Sequence, residues 1–139
     1  MEGGLKIKIL KLGEDGFHLM CNVKISGKKV RALIDTGASK SVISAAVAAM
    51  MPHLESVKVD DAQTTGISPG QLDANFVLLD KVKFGPVKIK NLPVAVMDMT
   101  HIMETYKEAG LNSFDMIIGG DILKFSNANI DYKNKRVWF

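Results

Sequence analysis

The chain has 139 residues, 47% of them hydrophobic and 24% charged, with 18 Lys and Arg against 15 Asp and Glu for a net charge of +3. This is the balance of a globular protein, long enough to bury roughly two-thirds of its unfolded surface and expected to form one domain over residues 1–139. No membrane-spanning helix is expected, because the most apolar run, Val42 to Met51, is too short and Ala-rich to cross a bilayer.

Leu5 to Leu12 alternates lysine with Ile and Leu, the period-two pattern of a strand. The segment from Met1 to Lys11 carries Glu2, Lys6 and Lys8, so it lacks the apolar core of a signal peptide. Gly13-Glu14-Asp15-Gly16 reads as a turn and Phe17 to Ile25 as the next strand, with Cys21 a small core residue. Gly27-Lys28 turns the chain into Val30 to Ile34, a hairpin that delivers Asp35. There the apolar run Ala32-Leu33-Ile34 meets Asp35-Thr36-Gly37-Ala38-Ser39, a buried strand ending in a tight loop that presents a carboxylate. The Thr36 hydroxyl can hydrogen-bond, and Gly37 lets backbone approach the carboxylate without a Cβ in the way. Taken alone, Asp-Thr-Gly is also ordinary turn chemistry.

Ser41 to Met51 reads as a short strand passing into a helix, with Val47, Met50 and Met51 on an apolar face and Pro52 ending it. Val57 to Gln71 is polar and contains Gly66-Ile67-Ser68-Pro69-Gly70, a glycine-rich hairpin tip that Pro69 stiffens by fixing φ. Leu72 to Phe84 and Val87 to Met99 form a long hairpin around Gly85-Pro86. Thr100 to Ala109 is a helix capped by Thr100 and closed by Gly110, either a lid or a connection. Phe114 to Gly119 is a strand and Gly120 to Phe125 a short helix. Ala128 to Tyr132 and Arg136 to Phe139 make a last hairpin around Lys133-Asn134.

Cys21 is the only cysteine, so no intrachain disulfide forms and zinc has no thiolate set. His18, His53 and His101 are scattered without ligand spacing, and no metal site is expected. A reducing, cytoplasmic setting follows from the lone thiol and the missing signal peptide. The lysines are spread along the chain; Lys6, Lys8, Lys88 and Lys90 fall at alternating strand positions, as on solvated faces, and lysine there discourages edge pairing. With 6 Phe, 2 Tyr and 1 Trp and no basic-aromatic cluster, neither nucleic acid nor membrane is expected as a partner.

Two stretches, Ala32-Leu33-Ile34-Asp35-Thr36-Gly37-Ala38-Ser39 and Phe114-Asp115-Met116-Ile117-Ile118-Gly119-Gly120-Asp121-Ile122-Leu123, together resemble the retropepsin-like aspartic proteases. In that family a later segment of two apolar residues and a glycine crosses the Asp-Thr-Gly loop and runs into a helix, a pattern matched by Ile117, Ile118 and Gly119. The resemblance covers the chain from about Phe17 onward and implies an all-β fold, a closed barrel-like subunit with short helices, active as a two-fold dimer. It implies catalysis by Asp35, Thr36 and Gly37, and contacts of Gly37, Ala38 and Ser39 with an extended peptide or protein substrate. Gly66, Ile67 and Ser68 would lie in a flap closing over that peptide, or in a plain surface hairpin. No metal and no cofactor enters the implied chemistry.

Such a protease needs two carboxylates sharing a proton, and this chain has one Asp-Thr-Gly. Asp15-Gly16 lies in a turn without an apolar approach. Asp121 sits at a helix start, where capping accounts for it, and Asp115 reads as structural. The second carboxylate must then come from Asp35 of a second copy across a two-fold axis; the resemblance implies that the Thr36 hydroxyls then clasp the opposing loops. A second class remains open, a dimerising peptide-binding module of the same fold with little or no general proteolysis, as in some relatives within ubiquitin-linked shuttle proteins.

Overall fold

Apolar residues at every second position give the strands one face that must be covered, and here the sheet covers it by closing on itself. A computed structural model describes residues 4–14, 16–57 and 75–139. The strands are β1 (Leu5–Lys6), β2 (Lys8–Lys11), β3 (Phe17–Ile25), β4 (Lys28–Ile34), β5 (Val42–Ser44), β6 (Glu55–Val57), β7 (Asn75–Phe84), β8 (Val87–Met97), β9 (Met116–Ile118), β10 (Asn129–Asp131) and β11 (Arg136–Trp138). The helices are α1 (Ala45–Ala49), α2 (Thr100–Glu108) and α3 (Gly120–Phe125). Strands β3-β4-β9-β5-β8-β7 are hydrogen-bonded in that order, and a short β3–β7 pairing joins the ends into a closed barrel. The fold is mostly β with short helices, as expected from the sequence.

Two cores follow from the alternation. Leu19, Cys21, Val23 and Ile25 of β3 face Val30, Ala32 and Ile34 of β4 inside the barrel, with Leu79, Val82, Phe84, Val94, Met116 and Ile118. On the outer wall Met20 packs with Phe114, Met99 and Tyr106, and Ile102, Leu33 and Ile117 join them, so α2 covers this part of the wall. Burial pushes the Tyr106 phenol up, and its hydroxyl lies 2.5 Å from His18 Nδ1. No helix among the described residues is long and apolar enough to cross a membrane.

Several boundaries differ from the sequence reading, each for a local reason. Leu5 to Leu12 is two strands, because Ile7 turns its buried side chain into the core and donates its N–H to the Lys135 carbonyl. Strand β1 therefore joins β11 and β10, while β2 joins β3. The first hairpin turns on Ser26-Gly27, both at positive φ (49° and 82°), and Lys28 already belongs to β4. Helix α1 stops at Ala49, which leaves Met50 61% exposed while Val47 and Met51 are buried. Thr100 does not cap α2; the cap position is Met99, and the Asp98 carboxylate accepts the Thr100 N–H and hydroxyl, which holds it below its ordinary range. Gly110, at φ +73°, closes that helix as expected.

Candidate active site

Val30, Ala32 and Ile34 anchor β4 in the barrel interior, and the chain emerges at Asp35 with Asp35, Thr36 and Gly37 all exposed. Beneath the loop, β9 lies parallel to β4, pairing Leu33 with Ile117 and Ile34 with Ile118. The ladder runs one step further, since the Asp35 N–H donates to the Ile118 carbonyl at 2.9 Å. The loop then folds back, with the Ala38 N–H on the Asp35 carbonyl at 3.2 Å and the Gly37 N–H on Asp35 Oδ1 at 3.0 Å.

The return side of the loop is held more firmly. The Gly120 N–H, in the first turn of α3, donates to the Ala38 carbonyl at 2.7 Å. Ser41 is completely buried: its hydroxyl donates to Asp121 Oδ1 at 2.7 Å and accepts from the Gly119 N–H at 3.0 Å, and its own N–H donates to Asp121 Oδ2 at 3.0 Å. The Ile122 N–H also donates to Asp121 Oδ1, at 2.8 Å. Gly119 is required by close approach, because a Cβ there would lie 2.7 Å from the Ala38 carbonyl oxygen and 2.9 Å from the Lys40 carbonyl carbon. Gly37 is not required in this way; its Cβ would meet Asp35 Oδ1 at 3.4 Å, an ordinary contact.

Each residue singled out in the sequence can now be placed. Asp35 to Ser39 form the loop, and Ile117, Ile118 and Gly119 lie under it. Gly66, Ile67 and Ser68 lie outside the described residues. Asp115 is structural: its Oδ1 accepts the Ser44 hydroxyl at 2.9 Å, while its N–H and carbonyl bond Arg31 and Ser44. Asp121 is also structural, but not as the expected cap: the cap position of α3 is Gly119, no side chain caps the helix, and the Asp121 carboxylate binds Ser41 across the site instead. Ser41 is the residue that sequence reasoning missed; its signal was a polar side chain opening an otherwise apolar strand. Of the histidines, His18 meets Tyr106 and His53 lies 3.4 Å from Asp80. Burial pushes the Cys21 thiol up to about 12, so it is neutral at ordinary pH.

A family model described as aspartyl protease matches residues 21–122, a span that holds the Asp35 loop, the crossing strand and the start of α3. The chain belongs to the aspartyl protease family. Among solved structures, a retropepsin-like aspartic protease from Rickettsia conorii aligns over 99% of this chain and 94% of its own, at 18% identity and a TM-score of 0.55. The retroviral protease-like domain of Ddi1 from Leishmania major aligns over 86% of this chain and 91% of its own, at 20% identity and a TM-score of 0.50. At these identities the likeness is one of fold, and that fold is retropepsin-like. No curated protein matches the sequence.

Proposed function

We propose that this aspartyl protease family member is a homodimeric endopeptidase in which the Asp35 carboxylates of two copies share one proton and activate a water molecule. What supports this is the contrast among the three aspartates that flank the paired strands β4 and β9. Asp121 accepts from Ser41 and Ile122, and Asp115 accepts from Ser44. Asp35 is exposed, and among the described residues its carboxylate accepts only from Gly37. Its loop backbone is fixed from below while its functional group is turned outward, which is half of an acid/base pair.

In the complete pair, the ionised Asp35 takes a proton from water as the water oxygen attacks the peptide carbonyl carbon. The protonated Asp35 of the second copy gives its proton to the carbonyl oxygen. Collapse of the tetrahedral diol breaks the C–N bond, and the departing nitrogen takes up a proton from the dyad. The Thr36 hydroxyls would hold the two loops together, and Gly37, Ala38 and Ser39 would bond the extended peptide. The assignment of Gly66, Ile67 and Ser68 to a flap that closes over the peptide rests on the sequence alone. The same reading has residues 1–139 as one domain in a reducing, cytoplasmic setting, where a buried free thiol such as Cys21 is at home.

Mixing wild type with Asp35→Asn protein tests the dyad directly. If each active unit needs two intact Asp35 residues, peptide cleavage falls at least as steeply as the square of the wild-type fraction, and Asp35→Asn alone does not cleave. A linear fall would mean that one copy suffices. Peptide binding without cleavage by either protein would make the chain the peptide-binding module.

A further inference from the structure

The sequence reading treats strand lysines as solvated residues that keep sheet edges apart. The register gives several of them another setting. Lys29 of β4 stands directly opposite Lys24 of β3, Lys24 opposite Lys83 of β7, and Lys83 opposite Lys88 of β8. These lysines form one unbroken row across adjacent hydrogen-bonded strands, and all are exposed. Lys81 opposite Lys90 repeats the pattern further along β7 and β8. Directly opposed residues have Cβ atoms about 4.5–5.5 Å apart, a separation at which like charges destabilise the pair.

Edge protection does not account for Lys24 and Lys83, which have paired strands on both sides; only Lys29 and Lys88, at the two ends of the row, stand where β4 and β8 have no further partner. Neutralisation within the chain does not account for the row either. Among the described residues none of these lysines has a salt-bridge partner; the flanking Asp80 carboxylate takes the Ser26 hydroxyl and lies 3.4 Å from His53. A cavity of about 250 Å³ also opens in the row, lined by Lys24, Lys29 and Lys83 with Leu5, Val23 and Asn22. Lys29 and Asp35 are near opposite ends of β4; at about 3.3 Å per residue the row is roughly 20 Å from the Asp35 loop.

We propose that this face is a docking site for an acidic peptide segment, which sets carboxylates against the lysine row and an apolar side chain into the cavity. Three interstrand spacings of about 4.8 Å make the row about 14 Å long, the length of a short extended segment with acidic residues at alternate positions. A peptide is favoured over single-stranded nucleic acid because no aromatic side chain lines the cavity to stack a base. The site is separate from the proposed proteolysis and does not depend on it.

The test is fluorescence anisotropy with Asp35→Asn protein, so that binding alone is read. The probe is a short labelled glutamate peptide with one central leucine; the comparison probes are its glutamine counterpart and a single-stranded oligonucleotide of equal charge. Saturable binding of the glutamate peptide is expected, weakening as salt shortens the screening length. The Lys83→Glu variant places an opposite charge between Lys24 and Lys88, so it should fold and melt no lower than wild type while losing affinity about tenfold or more. Equal binding by wild type and Lys83→Glu, equal binding of the glutamine peptide, absence of saturable binding at low salt, or tighter binding of the oligonucleotide would each overturn the proposal.

Discussion

Gly119→Ala is the substitution that most directly probes how the Asp35 loop is supported. The backbone at Gly119, with φ −100° and ψ −172°, is open to alanine, so conformational strain is not the issue. Contact is: the new Cβ would sit 2.7 Å from the Ala38 oxygen, 2.9 Å from the Lys40 carbon and 3.0 Å from the Lys40 oxygen, all backbone atoms. Restoring an ordinary contact requires the loop and α3 to part by several tenths of an ångström, against the 2.7 Å bond from Gly120 to Ala38. Overpacking of this kind costs about 1–3 kcal/mol. With a urea slope of about 1–3 kcal/mol per molar, the midpoint should fall by roughly 1 M. Displacement of the Asp35 loop should also lower kcat/KM by about 10- to 100-fold, the sensitivity of reacting groups to misplacement near 1 Å. Gly120→Ala is the control, because its Cβ meets the Ala38 oxygen at 3.5 Å and lies in a helical turn where alanine is favoured. Urea melts at fixed protein concentration, with peptide cleavage on the same samples, compare the two. Equal stability of Gly119→Ala and Gly120→Ala would refute the close-approach argument.

Asp121→Ala should cost about 1–3 kcal/mol in the same urea assay, because it leaves the buried Ser41 hydroxyl and N–H without their acceptor; an unchanged midpoint would show that the contact does not support the site. Asp131 accepts from the Asn134 N–H and side chain and from Trp138, which holds its carboxyl below the ordinary 3.8. A depressed folded-state value stabilises above the unfolded value and is lost as pH falls through the folded one. The stability gap between wild type and Asp131→Ala should therefore be constant near neutrality and close below about pH 4; a gap unchanged to strong acid would contradict it. With its thiol at about 12, Cys21 should react with a thiol reagent at neutral pH only as the chain unfolds, and rapid native-state labelling would contradict its burial.

What the sequence made legible was local. Phe17–Ile25 and Gly120–Phe125 have the boundaries read from alternation and from the glycine pair, and the Asp35 loop stands where an apolar run meets small polar residues. What it hid depends on distant partners. Nothing near Ile7 signals that its N–H belongs to Lys135, so one strand was read where two sheets share the segment. Ser41 opening an apolar run looks like a turn residue until Asp121, eighty positions away, is brought against it. The lysine row was invisible because the barrel seam pairs only Lys24 with Lys83 and Ile25 with Val82, a contact too short to leave a pattern.

The distribution of hydrogen bonds at the site separates stability from chemistry, and this can be measured. The buried bonds around the loop fall on backbone groups and on Ser41 and Asp121, while the Asp35 side chain is exposed and meets one N–H. Asp35→Asn keeps an oxygen able to accept from Gly37 and disturbs no buried contact, so it should alter the unfolding free energy by no more than about 0.5 kcal/mol, as other exposed substitutions do. In a dimer it should, if anything, strengthen association, since it removes the cost of bringing two carboxylates together. Cleavage should nevertheless vanish. Asp121→Ala should behave oppositely, with lost stability and only a partial loss of rate, because it touches the support and not the reacting group. Unfolding melts, sedimentation and peptide cleavage on both variants give the comparison. A strongly destabilised Asp35→Asn would mean that Asp35 helps to hold the loop together, and that its exposed position is not that of a group held in readiness for chemistry.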